Sequence, residues 1–187
     1  MMETETKTGQ RTVWAASRTD LEGSGMVRRL LAYLYFRRCQ CRLPQIAKTE
    51  AGKPYLCGCP DRFISLSHTA GAVCAGLSDG SIGVDVEGPR SWPAELPARI
   101  ARPEEIAQFG VLGAWTLKES AIKVKGTLDR DWRDIVYAGT REKIVCPEGI
   151  ACARLTEAYG FTLALAAADL QVLPDLEWIP EKDLLLF

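Results

Sequence analysis

The sequence predicts an α+β fold with antiparallel sheets. Three stretches carry the apolar spacing or the end signals of helices. Most other apolar runs are short and alternate or cluster as strands do. The strands gather after the helices instead of alternating strictly with them, which speaks against a doubly wound parallel sheet. The chain has 187 residues, of which 47% are hydrophobic. That suits one sizeable domain or two small, closely packed halves, and it argues against global disorder.

The first helix is "MVRRLLAYLYFRRC". Val27, Leu30, Leu31, Leu34 and Tyr35 fall on a single stripe. Arg28, Arg29, Arg37 and Arg38 lie mostly off it, as a solvated cationic face would. "GKPYL" reads as a turn that presents Lys53, and "FISLSH" reads as a strand. "AVCAGLSDGSIGVDVE" reads as a hairpin, with residues 72–77 and 82–87 flanking the turn Ser78-Asp79-Gly80-Ser81. "GPRSWPAELPARIARP" carries four prolines and reads as a connection between two halves.

"PEEIAQF" starts a helix: Pro103 suits the first position, and Glu104 and Glu105 suit its positive end. "LGAWTLKESAIKVKG" reads as a further helix closed by Gly126. "DIVYA", "EKIVC", "IACARL" and "GFTLALAAA" read as strands. "PDLEWIPEKDLLLF" reads as a tail packed on the body through Trp178 and its leucines.

Lys and Arg number 23 against 24 Asp and Glu, a formal net charge of -1. Nothing in that balance calls for a nucleic-acid partner. The polar start "MMETETKTGQ" does not read as an export signal, and no apolar run reaches the roughly 20 residues of a membrane-spanning helix. The expectation is a cytoplasmic protein with no membrane partner. The seven cysteines fit free thiols. Cys39/Cys41 and Cys57/Cys59 are separated by one residue each, closer than paired zinc ligands usually stand, and read as small buried apolar side chains.

Asp85 and Glu87 interrupt a strand on the face opposite Ile82, Val84 and Val86. At i and i+2 they stand roughly 6–7 Å apart, close enough to converge on one ion. Oxygen ligands alone favour a hard cation such as Mg²⁺, which completes its shell with water and phosphates. On this pair alone, a strand with one face in water stays slightly ahead as the reading. Glu119 and Lys123 are four apart on a helix and so neighbours, as in a surface ion pair. Trp115 and Ile122 one turn to either side suggest a less wet face, and Lys118, Lys123 and Lys125 supply cations for phosphate oxygens. Ser67 and His68 are adjacent on a strand and point to opposite faces, so they form no Ser–His dyad. His68 reads either as a phosphate donor or as a structural histidine.

In order, "GKPYL", "FISLSHT", "IGVDVE", "PEE" and "WTLKESAIKVKG" resemble the phosphopantetheinyl transferases of the Sfp type, within the holo-acyl-carrier-protein synthase superfamily. The resemblance spans about residues 52–126. It implies two pseudo-symmetric halves, approximately 1–90 and 91–187, with the active site in the cleft between them. It implies Mg²⁺-dependent transfer of the phosphopantetheine arm of coenzyme A to a serine of an apo acyl or peptidyl carrier protein. The other product is adenosine 3′,5′-bisphosphate. By motif, the metal ligands are Asp85, Glu87 and Glu119, with Mn²⁺ as an alternative ion. Lys118 and Lys123 contact CoA phosphates, Ser67 and His68 the 3′-phosphate end, and Lys53 also lies on the CoA side. The carrier's serine needs a base, direct or through a metal-bound water: Glu119 is the candidate, with Lys123 its charge partner and the candidate to assist the leaving phosphate. The family's duplicated halves imply a monomer.

The chain departs from the family pattern in a short segment before the first helix, where Arg28 and Arg29 are candidates for the adenine end of CoA, and in "GTLDRDW", which lacks the usual second glycine. Two other classes stay in view: a Mg²⁺-dependent phosphoryl hydrolase, and a non-catalytic relative that binds CoA or a carrier. The carboxylates of Asp85, Glu87 and Glu119 are expected within reach of one ion even without metal.

Overall fold

The structure, a computed structural model, describes residues 12–127, 131–170 and 172–187. The polar start of the chain and residues 128–130 of the "GTLDRDW" run lie outside the described residues. The strands are β1 (Thr12–Arg18), β2 (Ile46–Lys48), β3 (Pro54–Leu56), β4 (Phe63–Thr69), β5 (Ala72–Ser78), β6 (Ile82–Glu87), β7 (Ala138–Gly139), β8 (Ile144–Val145), β9 (Cys152–Ala158), β10 (Phe161–Ala167) and β11 (Glu177–Trp178). The helices are α1 (Gly23–Cys39), α2 (Leu96–Ile100), α3 (Pro103–Lys125) and α4 (Glu181–Leu184), with a 3-10 turn at Trp132–Asp134.

The fold is α+β, as the sequence predicts. One sheet runs β11-β1-β5-β4 and another β6-β10-β9. All neighbours are antiparallel except β1 and β11. Period-two alternation assigns the faces. Ala15, Val73, Ala75 and Leu77 share a core with Leu30, Leu31 and Leu34 of α1. Their neighbours Trp14, Ala16, Ala72 and Cys74 share a core with Ile82, Val84 and Val86 of β6 and Leu163 and Leu165 of β10. Ala164 and Ala166, on the far face of β10, pack on Leu117, Ala121 and Val124 of α3. The layers therefore run helix, sheet, sheet, helix. Each fully buried Leu, Ile or Val adds about 1.5–3 kcal/mol. No helix among the described residues is long and apolar enough to cross a membrane.

Three expectations need correction. β5 and β6 are not a hairpin. β5 already has β1 on one edge and β4 on the other, so it has no free edge to offer β6. The hairpin partner of β5 is β4, and β6 joins β10. The chain thus changes sheets at residues 79–81. The proline-rich segment follows the second sheet's first strand. Next, the two expected helices "PEEIAQF" and "LGAWTLKESAIKVKG" are one element, α3. Its break is Gly110, whose φ of 72° and ψ of 166° are open to glycine and closed to other residues. Last, the expected strands "DIVYA" and "EKIVC" shrink to a 3-10 turn and the two-residue pair β7–β8.

The tail packs on the body through Trp178 and Leu184, while Leu185 and Leu186 stay exposed, so its leucines pack only in part. β11 pairs with β1, Leu184 is fully buried beside α1, and Phe187 meets Tyr33 with ring centroids 5.5 Å apart.

Candidate active site

Gly83 determines how the site is built. A Cβ placed there would stand 1.9 Å from the Ser120 carbonyl oxygen and 2.7 Å from the Val124 nitrogen. The glycine therefore lets α3 lie directly on β6. Asp85 and Glu87 share the face of Gly83, so they point at α3 and not into open water. Asp85 is 4% exposed.

Asp85 Oδ1 accepts from Lys123 Nζ on α3 and from Ser67 Oγ on β4, both at 2.7 Å. Its Oδ2 is buried with no hydrogen-bond partner among the described residues. Glu87 Oε1 accepts from Trp115 Nε1 at 2.7 Å and pairs with Arg90 at 3.1 Å. The indole of Trp115 is stacked on Trp132, centroids 4.6 Å apart, and the Arg90 guanidinium lies 4.0 Å from the Trp92 ring centroid. Burial first, then the negative charge of Asp85, raises the carboxyl pKa of both Glu87 and Glu119 above the usual carboxylate range. Three carboxylates thus share one electrostatic neighbourhood under α3.

Beside them lies a cavity of about 410 Å³. Its charged lining is Arg28, Lys48, Lys53 and Lys123, joined by His68. His68 is exposed and packs on Gly23 at the start of α1, where a Cβ would come within 2.9 Å of Nδ1. Lys123 belongs to both places, lining the cavity and bonding Asp85.

No family model matches the chain, and no curated protein matches it.

The structure therefore brings Asp85, Glu87, Glu119 and Lys123 together and places Lys53 and His68 on the adjoining cavity. It sends two expected residues elsewhere. Lys118 is fully buried on another face of α3. Its Nζ bonds Glu105 Oε2 at 2.8 Å and the Trp132 carbonyl oxygen at 2.9 Å, so it cannot reach a bound phosphate. Burial lowers its pKa. Successive helix residues point about 100° apart, so Glu119 facing the site turns Lys118 away from it. Ser67 faces away from His68, as their adjacency on β4 requires. Its hydroxyl is engaged by Asp85 and by the Val86 N–H at 3.3 Å. The pair therefore splits, with His68 toward the cavity and Ser67 holding a carboxylate.

Lys53 lines the cavity but ties its ammonium to Ser81 Oγ at 3.1 Å and to the Val124 carbonyl oxygen at 2.5 Å. Burial lowers its pKa too. Lys123 pairs with Asp85 across to β6 and not with Glu119 on its own helix, because a buried carboxylate gains more from a cation than a half-buried one.

Among the described residues no three His, Cys, Asp or Glu side chains stand ready around a metal. The expectation that the three carboxylates lie within reach of one ion is not met. Lys123 covers Asp85 Oδ1, and Trp115 and Arg90 hold Glu87 Oε1. The donor chemistry nevertheless fits a hard divalent cation: three carboxylates, one of them with an orphaned buried oxygen. All seven cysteines are free, but the two close pairs are not buried as expected: Cys41 is exposed, and Cys39, Cys57 and Cys59 are partly buried.

Sequence reasoning missed Trp115 and Arg90 as partners of Glu87, Glu105 as the partner of Lys118, and Lys48 on the cavity. Trp115 carried a signal: it lies four residues before Glu119, on the same helix face.

Proposed function

We propose that the protein transfers the phosphopantetheine arm of coenzyme A to a serine of an apo carrier protein. One observation carries this reading: a cavity lined by Arg28, Lys48, Lys53, His68 and Lys123 adjoins three crowded carboxylates, with Lys123 common to both. The cationic lining suits the phosphates of CoA, and the carboxylates suit a divalent cation at the reacting diphosphate.

The carrier's serine oxygen attacks the β-phosphorus of the CoA diphosphate. A new P–O bond forms, and the P–O bond to the adenosine 3′,5′-bisphosphate leaving group breaks. Asp85, Glu87 and Glu119 would hold Mg²⁺ or Mn²⁺, which would neutralise charge that grows on the transferred phosphoryl group. Glu119, whose pKa is raised, takes the serine proton. Lys123 donates to the departing phosphate oxygen, and Asp85 is kept in place by Ser67. His68 and Arg28, which also line the cavity, contact CoA phosphates. The carrier supplies the nucleophile, so the enzyme needs none.

Incubation with an apo carrier, CoA and Mg²⁺, followed by intact-mass measurement of the carrier, tests this. A phosphopantetheine mass gain lost with EDTA or in Asp85→Ala is expected. Phosphate-bond hydrolysis without a carrier would favour a hydrolase, and CoA binding without product a binding module.

A further inference from the structure

Lys123 is where the cavity and the carboxylates meet. Its Nζ stands 2.7 Å from Asp85 Oδ1, with its side chain 28% exposed against 5% for Asp85. A buried carboxylate is costly unless a cation or hydrogen-bond donors face it. Ser67 supplies one donor, and Lys123 supplies the cation. Oδ2 remains without a partner. The ammonium of Lys123 therefore neutralises Asp85 in the metal-free protein, as a bound cation would.

The neighbouring pair is built differently. Arg90, on Glu87, is stacked against Trp92 and is pinned by it. Lys123 has an unbranched, four-carbon stem with no ring contact among the described residues holding its head group, and this residue already lines the cavity. Its helix is fixed by the close approach at Gly83, so the side chain is the part free to move.

Resting on the metal reading above, we propose that Lys123 is a tethered stand-in for the divalent cation. It holds Asp85 while no metal is bound. A divalent cation arriving at the unpartnered Oδ2 of Asp85 displaces the ammonium from Oδ1, because two positive centres on one carboxylate repel. The displaced head group turns toward the cavity, where a phosphate is to be met. Metal binding and delivery of this lysine are thus one event, and the site becomes fully cationic toward an anionic ligand after the metal is in place. By linkage, a group that competes with the metal must weaken its binding.

The test is titration calorimetry of the full chain with MgCl₂ alone, without CoA or carrier, on the wild type, Lys123→Met and Lys123→Arg. Lys123→Met should bind Mg²⁺ about tenfold more tightly, equivalent to ~1.4 kcal/mol, and Lys123→Arg no more tightly than the wild type. A merely structural role would leave affinity unchanged or weaken it, and either result in a folded Lys123→Met overturns the proposal. A second readout uses the wild type and does not depend on the variant folding. Labelling of Lys123 by an amine-reactive reagent, followed by peptide mass spectrometry with exposed Lys125 as reference, should quicken several-fold when MgCl₂ is added. An unchanged or slower rate overturns the proposal. If neither the wild type nor Lys123→Met binds Mg²⁺, the metal reading itself fails and the proposal with it. Binding by the wild type without tightening in the variant removes only the stand-in role.

Discussion

Lys118 and Glu119 are sequence neighbours with opposite fates. Lys118 turns into the protein and meets Glu105, itself 1% exposed, which also accepts from the Arg102 and Tyr137 N–H groups. Removing one partner of a buried pair strands the other. Lys118→Ala should therefore cost about 3–5 kcal/mol in urea unfolding, far more than loss of a substrate contact would. Glu119 faces the site, where burial and Asp85 raise its pKa. An acid whose folded pKa is raised binds its proton more readily folded than unfolded. Stability associated with it is present at low pH and is lost as pH rises through the folded pKa. Glu119→Gln removes that loss. In EDTA it should melt above the wild type at neutral pH, with the gap closing as pH falls toward the ordinary value of 4.5. Each kcal/mol relieved is worth roughly 2–4 °C in a chain of this size. Thermal scans at several pH values check both the size and the sign. The acids were legible because charge on a strand face is conspicuous. The partner of Lys118 was not, since it depends on how α3 resumes after its break at Gly110.

At the scale of elements, one glycine decides how α3 meets β6 and another where α3 breaks. Gly83 leaves no room for a methyl group against the Ser120 carbonyl. Gly83→Ala must push α3 off β6, which costs more than the ~1–3 kcal/mol of ordinary overpacking. It should also abolish the proposed transfer in any protein that still folds, because Lys123 and Glu119 ride on the displaced helix. Calorimetric melting and the carrier mass assay read the two effects separately. Gly110 is different: a Cβ there meets nothing within 4 Å, so Gly110→Ala should be penalised by its backbone conformation alone. Helix stripes, the cap at Gly126 and strand alternation were legible locally, because each depends on a few neighbouring residues. The misread hairpin shows where local reading ends. The turn at residues 78–81 has hairpin chemistry, but pairing is decided by which edges remain free, and β4 and β1 had claimed both edges of β5.

For the molecule as a whole, the consequence is a seam where the two sheets meet. β4 and β6 run side by side, yet the N–H groups of Val84 and Val86 donate to Ser65 Oγ at 2.9 Å and Ser67 Oγ at 3.3 Å, not to a backbone ladder. Side chains thus connect the first sheet to the strand that carries the acids, and one of them, Ser67, also bonds Asp85. Removing a buried hydroxyl leaves its partners unsatisfied, at about 1–3 kcal/mol. Ser65→Ala and Ser67→Ala should therefore destabilise by similar amounts but differ at the site. Ser65→Ala should speed amide exchange at Val84 and, because Ser65 lines the cavity but bonds no carboxylate, lower the proposed CoA transfer less than Ser67→Ala does. Ser67→Ala should speed exchange at Val86 and also lower the proposed transfer, because the Asp85 carboxylate loses a donor and keeps only Lys123 among the described residues. Hydrogen exchange by mass spectrometry or NMR, paired with the carrier assay, distinguishes the two. Unchanged protection at both amides would mean that the sheets are joined by packing alone. Equal transfer by the two variants would mean that the serine at position 67 contributes to the seam and not to the site.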